Sequence, residues 1–431
     1  MKSVWLDGVN KPKFEPLTGD VKTEVLIIGG GLAGLLCAYG LKQAGVDCVL
    51  AEASEICGGI TKNTTAKITS QHGLCYHKLL KRFGLEKARA YLEAGEKALE
   101  NYRSLCKTVD CEFEEQDAFV YSLHDERVIE KELNALEKIG FSAGFVKDLP
   151  LPFPTKGAVK FERQAQFHPL KFAYQIARGL RIYEHTRVVK LTPSGAITEN
   201  GTIQAEKIIV ATHFPFLNKH GLYFMKMFQH RSYVLALKNA EKIDGMYLDE
   251  NGKGLSFRSY GELLLLGGGS HRTGEQGGNW QELEEFAKEK YPRSQEAYRF
   301  ATRDCMTLDE VPYIGRYSKS TKNLFVATGF NKWGMTSSMT AAEVLCDMLQ
   351  GRKSPYEELF SPSRTMLRKQ LFVNMGKTAV GLLTPTAPRC PHMGCALKYN
   401  PQEHSWDCGC HGSRFTEDKK LIDNPAMKDM K

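Results

Sequence analysis

The sequence predicts an α/β (α+β) protein, and three observations support this prediction. The segment EVLIIGGGLAG, residues 24–34, is a β-branched apolar run that leads into a glycine-rich turn, and a helical pattern follows it. Residues 78–107 repeat apolar side chains at helical spacing with charges between them, which is typical of amphipathic helices. Residues 390–415 contain four cysteines and three histidines, which indicates a small metal-binding module after a larger body.

The composition is that of an ordinary globular chain. Hydrophobic residues make up 42% and charged residues 25% of the 431 residues, enough for two or three domains with a sizeable core. The net charge of +8 argues only weakly for an anionic partner, so we expect no nucleic acid to bind. No apolar run approaches the ~20 residues of an integral membrane span, and the N-terminus lacks the apolar core of a signal peptide. We therefore expect a cytoplasmic protein, in which the eight scattered cysteines act as small buried hydrophobes.

The glycine-rich turn has the pattern of a dinucleotide-binding site. Gly29, Gly31 and Gly34 follow the first strand, where they allow a tight turn and a close approach of the backbone to a pyrophosphate. The helix that begins there would direct its N-terminal N–H groups at the phosphates. A second strand, DCVLAEAS, carries Glu52, whose carboxylate can accept hydrogen bonds from both ribose hydroxyls. The strand, the helix and the acidic residue together predict a bound dinucleotide.

The residues after Glu52 favour FAD over NAD. The segment ICGGITKNTTAKITSQHG combines a glycine pair with small hydroxyl residues, which suits a backbone wrapped around a buried, permanently held ligand. It resembles the FAD-binding start of the glycine and D-amino acid oxidase family. KIIVATHFPF, MTLDEVPYIGR and NLFVATGFNKWGMTSSMTAAEVLCDML resemble later parts of that family, so the resemblance covers roughly residues 20–352. It implies that the cofactor-binding residues include Thr65, Ala66, Gly329, Gly334 and Met335.

The same resemblance implies a domain organisation. A Rossmann-like FAD-binding domain is built from non-contiguous segments, and a mixed-sheet substrate domain is inserted into it. We expect a strap at 1–22, flavin segments at about 23–80, 155–215 and 300–352, a substrate domain at about 81–154 and 216–299, a linker or docking segment at 353–384 and a module at 385–431. A second glycine-rich stretch, GGGSHRTGEQGG at 267–278, is interpreted as a turn of the substrate domain, which leaves one dinucleotide site.

The cysteine- and histidine-rich tail has the ligand spacing of a metal site. Cys390 and His392 form a C-x-H pair, and Cys408 and His411 form a C-x-x-H pair. Four such ligands can hold zinc, although a zinc finger more often pairs Cys with Cys and His with His. One Cys and one His in each half suit a Rieske [2Fe–2S] centre, in which two Cys hold one iron and two His the other.

Further residues of the tail resemble Rieske domains. HMGC, SWDCGCHGS and DNPAMKDM carry this resemblance, and it implies a possible disulfide between Cys395 and Cys410. Gly409 stands where a proline is usual, which should loosen the loop, and Phe415 stands where many high-potential members have a tyrosine. The module is too short to bury much apolar surface alone, so we expect a truncated β module that docks on the flavin domain. The segment 364–383 is interpreted as a docking helix or linker, with a membrane-surface helix as the alternative.

The two centres together predict an oxidoreductase. A flavin accepts two electrons as a hydride and a [2Fe–2S] cluster carries one, so their fusion makes a two-to-one electron converter. The resemblance implies oxidation of a C–N bond in an amine or amino acid, with electrons passed singly through the cluster to an unknown external acceptor. The closest family members are oxidoreductases of the glycine oxidase and gamma-glutamylputrescine oxidoreductase kind. Two alternatives are an electron-transfer protein without its own small substrate and a flavin oxidase with a structural zinc tail.

Four further residues are candidates near the substrate. Lys332, in GFNKWG, lies near the position where related amine oxidases hold the substrate carboxylate with a lysine, so it is the predicted catalytic residue. Trp333 and Tyr313 either line the flavin face or belong to the core. His168 is either close to the flavin or substrate, or is a satisfied histidine of the interior.

Overall fold

Strands and helices alternate through most of the chain in the computed structural model, which describes residues 2–252, 254–385 and 388–431. The strands, in chain order, are β1 (Val21–Ile28), β2 (Cys48–Ala51), β3 (Lys67–Ile68), β4 (Glu114–Ser122), β5 (Gly144–Val146), β6 (Gly157–Gln166), β7 (Ile182–Tyr183), β8 (Val188–Thr192), β9 (Gly195–Thr198), β10 (Thr202–Val210), β11 (Met227–Lys238), β12 (Met246–Asp249), β13 (Ser256–Tyr260), β14 (Leu263–Arg272), β15 (Gln295–Thr307), β16 (Tyr313–Arg316), β17 (Leu324–Thr328), β18 (Leu397–Asn400), β19 (Ser405–Cys408), β20 (Arg414–Thr416) and β21 (Leu421–Asp423).

The helices lie mainly between strands of the first two sheets. In chain order they are α1 (Leu32–Gln43), α2 (Tyr76–Phe83), α3 (Leu85–Cys106), α4 (Glu126–Lys138), α5 (Pro169–Ala177), α6 (Tyr223–Lys226), α7 (Asn279–Lys290), α8 (Gly334–Leu349), α9 (Glu357–Phe360) and α10 (Lys369–Leu383). The amphipathic pattern at 78–107 corresponds to α2 and α3, which are separated by Gly84 in a left-handed conformation with φ +81°. Among the described residues, no helix is long and apolar enough to cross a membrane.

The first sheet has the predicted Rossmann-like arrangement. Its main path is β16-β17-β10-β1-β2-β7, with parallel pairing from β17 to β7 and an antiparallel edge at β16. Successive residues of β1 point into two different cores, Val25 and Ile27 into one and Leu26 and Ile28 into the other. Both faces of the strand are therefore buried, which is why its sequence is a continuous apolar run instead of an alternating one.

The second sheet is the predicted mixed sheet. Its path is β15-β11-β14-β13-β12-β4-β6-β3, and β12 and β4 pair in parallel while the other neighbours are antiparallel. Three strands that fall mainly within or at the edge of the predicted flavin segments, β3, β6 and β15, pair here and not in the first sheet. The pairing of β6 and β15 follows from long antiparallel ladders with β4 and β11, which sequence patterns do not reveal.

The glycine-rich stretch 267–278 differs from the expected turn in its first half. Residues 267–272 continue β14. The preceding leucines are buried and pair with β11 and β13, and the glycines extend the same hydrogen-bonded pairing. A Cβ at Gly267 would lie 2.6 Å from Ser256 Oγ, so glycine permits the close approach of β13. The turn itself is confined to the residues after Arg272.

The C-terminal residues form the predicted small β module. Strands β18 to β21 make a four-stranded antiparallel sheet. The four cysteines of the module share a small hydrophobic core with Phe415. The segment before it forms α10, as expected for 364–383, and this helix buries Leu371 and Asn374 against the body. The module contacts β11 and β15 of the mixed sheet and the loop after β10, so that its own loops reach the site described below.

Candidate functional site

A cavity of about 650 Å³ lies at the carboxyl ends of the parallel strands, where α/β sheets bind their ligands. Six of the nine predicted cofactor residues line it, namely Gly29, Gly31, Glu52, Gly329, Gly334 and Met335. Their role in binding the cofactor stays a prediction.

The glycines of the first turn have separate structural roles. A Cβ at Gly34 would lie 1.9 Å from the carbonyl oxygen of Gly29, so α1 can approach β1 only with glycine at this position. Gly29 itself has φ +110°, and a Cβ there would lie 2.7 Å from the carbonyl oxygen of Ala211. A Cβ at Gly31, in contrast, would meet only Thr61 Oγ1 at 3.6 Å, and this residue faces the cavity.

The electrostatics of the cavity fit a dinucleotide. Helices α1 and α8 both begin at it, and neither has a side-chain cap at its N-cap residue, Gly31 or Trp333. The Leu32 N–H of α1 already donates to Thr61 Oγ1 at 3.1 Å, and the other N–H groups of the two first turns can donate to phosphate oxygens. Glu52 is fixed by hydrogen bonds from the backbone N–H of Gly30 (2.7 Å) and of Ser54 (2.8 Å), and burial raises the pKa of its carboxyl group.

A second cavity of about 750 Å³ adjoins the first, and Ile60, Gly334 and Met335 line both. Its walls come from β11, β14 and β15 of the mixed sheet. Lys332 lies in this cavity, where its Nζ donates to Ser270 Oγ (3.2 Å) and to the carbonyl oxygen of Gly252 (3.3 Å). The backbone turns Lys332 inward through a left-handed conformation with φ +74°.

Asp304, on β15, is one of several acidic residues that line this cavity and that sequence reasoning missed. Burial raises the pKa of its carboxyl group to about 6, although the positive charge of Lys332 acts in the opposite direction. Burial likewise lowers the pKa of Lys332, which the charge of Asp304 partly restores. The strand pattern of β15 gave no sign that this aspartate faces a cavity, because half of that strand is polar.

The remaining predicted residues fall in three environments. Trp333 and Thr65 line the second cavity, and the Trp333 ring stacks on His72 at 4.8 Å between ring centroids. Ala66 and Tyr313 are buried outside the lining of both cavities, and the Arg364 guanidinium lies 4.1 Å from the centre of the Tyr313 ring.

His168 has a structural environment and lies in neither cavity wall. Its Nδ1 accepts a hydrogen bond from the backbone N–H of Lys171 at 3.2 Å, which caps the N-terminus of α5. Its ring packs edge-on against Trp5, 5.1 Å between centroids, and burial lowers its pKa to about 4. His168 is therefore the satisfied interior histidine of the two alternatives.

The predicted metal ligands meet at the tip of the C-terminal module. The rings of His392 and His411 are 4.9 Å apart between centroids and nearly perpendicular. Both ring nitrogens of His411 and the Nδ1 of His392 are buried without a hydrogen-bond partner among the described residues. Burial lowers the pKa of His392 to about 4, so its ring is neutral, which is the form that binds a metal. Unpartnered, buried ring nitrogens on both histidines fit an iron site.

The four cysteines of the module gather around Cys408. The sulfurs of Cys395, Cys408 and Cys410 lie within 4.8 Å of one another, and hydrogen bonds from neighbouring thiols, Cys390 first, lower the pKa of Cys408 well below its usual value. All four are free thiols in the structure. The disulfide between Cys395 and Cys410 stays a prediction, since the two sulfurs are close but not bonded.

An ion-pair network that sequence reasoning did not predict joins the module to the mixed sheet. Glu403 of the module binds Arg231 of β11 through Nε at 3.0 Å and accepts from Tyr233 at 3.0 Å. Arg414 lies 2.9 Å from the same carboxylate and also contacts Asp423, which pairs with Arg303 of β15. The network is buried and its arginines and acids form part of the wall of the first cavity.

A second connection runs through side-chain amides. Asn424 donates its Nδ2 to the carbonyl oxygens of Thr212 (2.7 Å) and Phe214 (2.8 Å), at the rim of the first cavity. Gln229 of β11 donates to the backbone carbonyl of His411 (2.9 Å) and of Asn424 (3.1 Å). The loop that carries a predicted metal ligand is thus tied to the wall of the cofactor cavity.

The loop around Gly409 is held from outside. Arg272 donates to the carbonyl oxygens of Gly409 (3.2 Å) and Cys410 (3.3 Å), and it also binds Asn374 of α10 at 3.0 Å. A Cβ at Gly274 would lie 2.6 Å from the backbone nitrogen of Gly409, so the two loops are in close contact. These contacts offset the loosening expected from glycine at position 409.

Comparisons with known proteins agree with both parts of the site. Residues 24–348 match the FAD dependent oxidoreductase family, and residues 361–431 match the Rieske [2Fe-2S] domain. The chain is 34% identical over 494 aligned residues to YhfW of Bacillus subtilis (strain 168), named as a Rieske 2Fe-2S iron-sulfur protein, covering 100% of this chain and 97% of that protein. It is 23% identical to gamma-glutamylputrescine oxidoreductase of Escherichia coli (strain K12), covering 78% and 86%.

The fold is also that of solved oxidoreductase structures. The L-proline dehydrogenase of P. horikoshii superimposes with a TM-score of 0.67 at 16% identity, covering 81% of this chain and 98% of that one. The Rieske match favours an iron–sulfur cluster over the zinc ion that the ligand types alone allowed. The chain therefore belongs to the FAD-dependent oxidoreductase family and carries a C-terminal Rieske domain, so its cofactors are FAD and a [2Fe–2S] cluster.

Proposed function

We propose that this protein oxidises a C–N bond of an amine or amino acid by hydride transfer to FAD, and that the electrons leave singly through the [2Fe–2S] cluster to an external acceptor. The observation that carries the proposal is a shared wall. Residues of the Rieske module, among them Glu403, Arg414 and Asn424, line the cofactor cavity, while the second cavity meets it at Gly334 and Met335. The second cavity therefore adjoins the cofactor cavity, and the cofactor cavity in turn adjoins the cluster module.

The charges of the second cavity support an amine that also carries a carboxylate. Lys332 would bind the carboxylate, and Asp304, as an anion, would orient the ammonium group. The two groups line the same cavity and attract each other, so a zwitterion can replace that interaction with two of its own. The cavity of about 750 Å³ is much larger than glycine requires, so we infer an extended substrate. The relative named for gamma-glutamylputrescine is in keeping with this inference.

When bound, FAD accepts a hydride and the cluster accepts single electrons. The residues of this chain have the other tasks. Trp333 and His72 form a flat aromatic wall of the second cavity, and they exclude water from the substrate side of Gly334.

All twelve cysteines are free in the structure, which is consistent with the cytoplasmic location that we also propose.

The test is anaerobic mixing of the purified holoprotein with a panel of amines and amino acids. We expect flavin bleaching with at least one extended amino acid, followed by a Rieske-type EPR signal, and iron analysis should give about two irons per chain. A Lys332→Met variant should raise the substrate concentration for half-maximal bleaching about tenfold or more, because the carboxylate loses its partner.

Lys322→Met is the matched control, since Lys322 is exposed on the loop before β17. It should behave as the unchanged protein. If no amine bleaches the flavin while a reduced electron-transfer protein does, the chain is an electron carrier without a small substrate and the proposal is wrong. Full activity of Lys332→Met on a carboxylated amine would remove only Lys332 from the site.

A further inference from the structure

Helix α10 presents an unusually apolar surface. Among the described residues, eight of the fifteen large apolar side chains that are strongly exposed fall between residues 367 and 393. They are Leu367, Phe372, Val373, Met375, Val380, Leu382, Leu383 and Met393. Leu383 and Phe372 are 80% and 64% exposed, and such a concentration on one surface marks an interaction site.

The exposed positions cover a broad arc of the helix. Leu371 and Asn374 face the body of the protein. Adjacent pairs such as Phe372–Val373 and Leu382–Leu383 are all outside, so the apolar arc spans about half of the circumference at 100° per residue. A partner helix or groove contacts a narrower stripe of side chains, at every third or fourth residue. A broad arc fits a fluid apolar phase that contacts every outward side chain.

The charge around α10 has one sign. Residues 359–402 contain no aspartate or glutamate, whereas they contain six lysines and arginines. Lys369 and Lys398 are exposed there, and Lys377 is exposed although it also pairs with Glu275. Arg389 is exposed as well, although its guanidinium also donates to backbone carbonyl oxygens at the C-terminal end of α10 and in the loop after it. Arg364 is not available, because it turns inward to Asp309. The surface therefore favours an anionic partner.

We propose that α10 and its flanking cations bind the surface of an anionic lipid bilayer, with the helix lying in the plane of the interface. The apolar arc would enter the acyl region, and the lysines and Arg389 would reach the phosphates. A second copy of this chain is a poor occupant, because it would oppose the same positive charges. Lipid contact would not involve a span of the membrane, since α10 has 15 residues.

The position of α10 couples this surface to both centres. Gln370, Val373 and Lys377 line the second cavity. A Cβ at Gly381 would lie 2.7 Å from Cys410 Sγ, so the other end of the helix packs directly on the cluster module. A bilayer against α10 would thus lie beside the mouth of the substrate cavity and beside the cluster-binding loops. The proposal itself does not depend on which substrate is oxidised.

The test is co-sedimentation of the full-length holoprotein with vesicles. Vesicles of equal parts phosphatidylglycerol and phosphatidylcholine are compared with vesicles of phosphatidylcholine alone. We expect binding to the anionic vesicles that weakens as salt is raised. The triple variant Phe372→Glu/Val380→Glu/Leu383→Glu should have an affinity for the anionic vesicles that is lower by about tenfold or more. The reason is that charged side chains would have to enter the apolar phase.

The matched control is Leu85→Glu/Phe145→Glu/Val189→Glu, which adds the same three charges at exposed apolar positions on α3, β5 and β8. It should bind anionic vesicles nearly as well as the unchanged protein. Retained flavin absorbance verifies folding of each variant, and the milder Phe372→Ser/Leu383→Ser variant serves if the glutamates impair it.

Four outcomes would overturn the proposal. One is an absence of binding to anionic vesicles at low salt, and another is equal binding by the α10 variant. The third is a dimer in light scattering that the α10 variant dissociates, which would assign the surface to a second copy. Weaker reduction of an acidic electron-transfer protein by the α10 variant, without any vesicle binding, would likewise assign the surface to a protein partner.

Discussion

At the scale of single residues, the charge of Asp304 makes a prediction about pH. Its carboxyl group has a pKa of about 6, so it is an anion above that pH and becomes neutral as the pH falls through it. If the anion orients the substrate ammonium, flavin reduction should decline about tenfold for each pH unit below 6. Stopped-flow bleaching of the flavin at subsaturating substrate measures this limb of the profile. Lys332 and Arg231 are the charged groups that act on Asp304 and hold its pKa from rising further.

The Asp304→Asn variant separates this effect from other titrations. It should reduce flavin more slowly above pH 6 and lose the acid limb altogether, because asparagine has no proton to gain. Asp244→Asn is a suitable control on the loop before β12, and its profile should match that of the unchanged protein. An acid limb that persists unchanged in Asp304→Asn would assign the pKa to a different group.

A second prediction at this scale concerns the cluster. Phe415 is fully buried in the core that the four module cysteines share, and it cannot donate a hydrogen bond. Phe415→Tyr places a hydroxyl there, and a new hydrogen bond to a cluster sulfur or its cysteine ligand stabilises the reduced form. A tenfold gain in this equilibrium raises a one-electron potential by about 59 mV. Redox titration followed by EPR measures the shift, and an unchanged or lower potential would disprove this account. Phe228→Tyr, outside the module, is the control.

Residue-level prediction from sequence reaches furthest where chemistry constrains the type of residue. The glycines, Glu52 and the Cys and His residues occupy positions that few other residues can fill, so spacing alone made them candidates. Asp304, Arg231 and Glu403 were missed, because nothing in a strand pattern shows that a polar residue faces a cavity or a partner strand far away in sequence.

At the scale of elements, the ion-pair network should determine how firmly the module docks. Arg231 and Glu403 are both almost completely buried, and their pairing is shared with Arg414. Arg231→Met leaves the Glu403 carboxylate buried beside one arginine fewer, which should cost about 3–5 kcal/mol of stability. Denaturant unfolding followed by cluster absorbance measures this loss. We expect the module signal to disappear at lower denaturant than the flavin signal.

The pair between Lys420 and Asp429 provides the control for this experiment. It belongs to the same module, but both side chains are largely exposed. Lys420→Met should therefore leave the denaturant midpoint of the module nearly unchanged. If Arg231→Met is as mild as Lys420→Met, the network does not hold the module, and the contacts of Arg272 with the loop at 409–410 would be the main attachment.

At the scale of the whole molecule, sequence reasoning predicted the architecture but not the assembly. The dinucleotide turn identified the first sheet, and the tail identified the module, because each carries its own local signature. The assignment of β6 and β15 to the mixed sheet and the packing of α10 depend on pairings between distant segments. The same limit explains why the shared wall between module and cofactor cavity could be found only in three dimensions.

That shared wall makes the last prediction, which concerns electron transfer between the two centres. Gln229 links the backbone of His411 to that of Asn424, and Gly412 packs closely on its side chain. Gln229→Met keeps the bulk of the side chain but removes both hydrogen bonds, so the ligand loop loses a tie to the cavity wall. We expect substrate to bleach the flavin at an unchanged rate while the cluster is reduced about tenfold more slowly. Freeze-quench EPR after anaerobic mixing measures the second rate, and the EPR line shape reports directly on the histidine loop.

The control is Gln281→Met, whose amide bonds to Glu285 on the exposed face of α7. Slower flavin bleaching in Gln229→Met would place Gln229 on the substrate side instead, and an unchanged cluster rate would mean that the electrons pass elsewhere along the module.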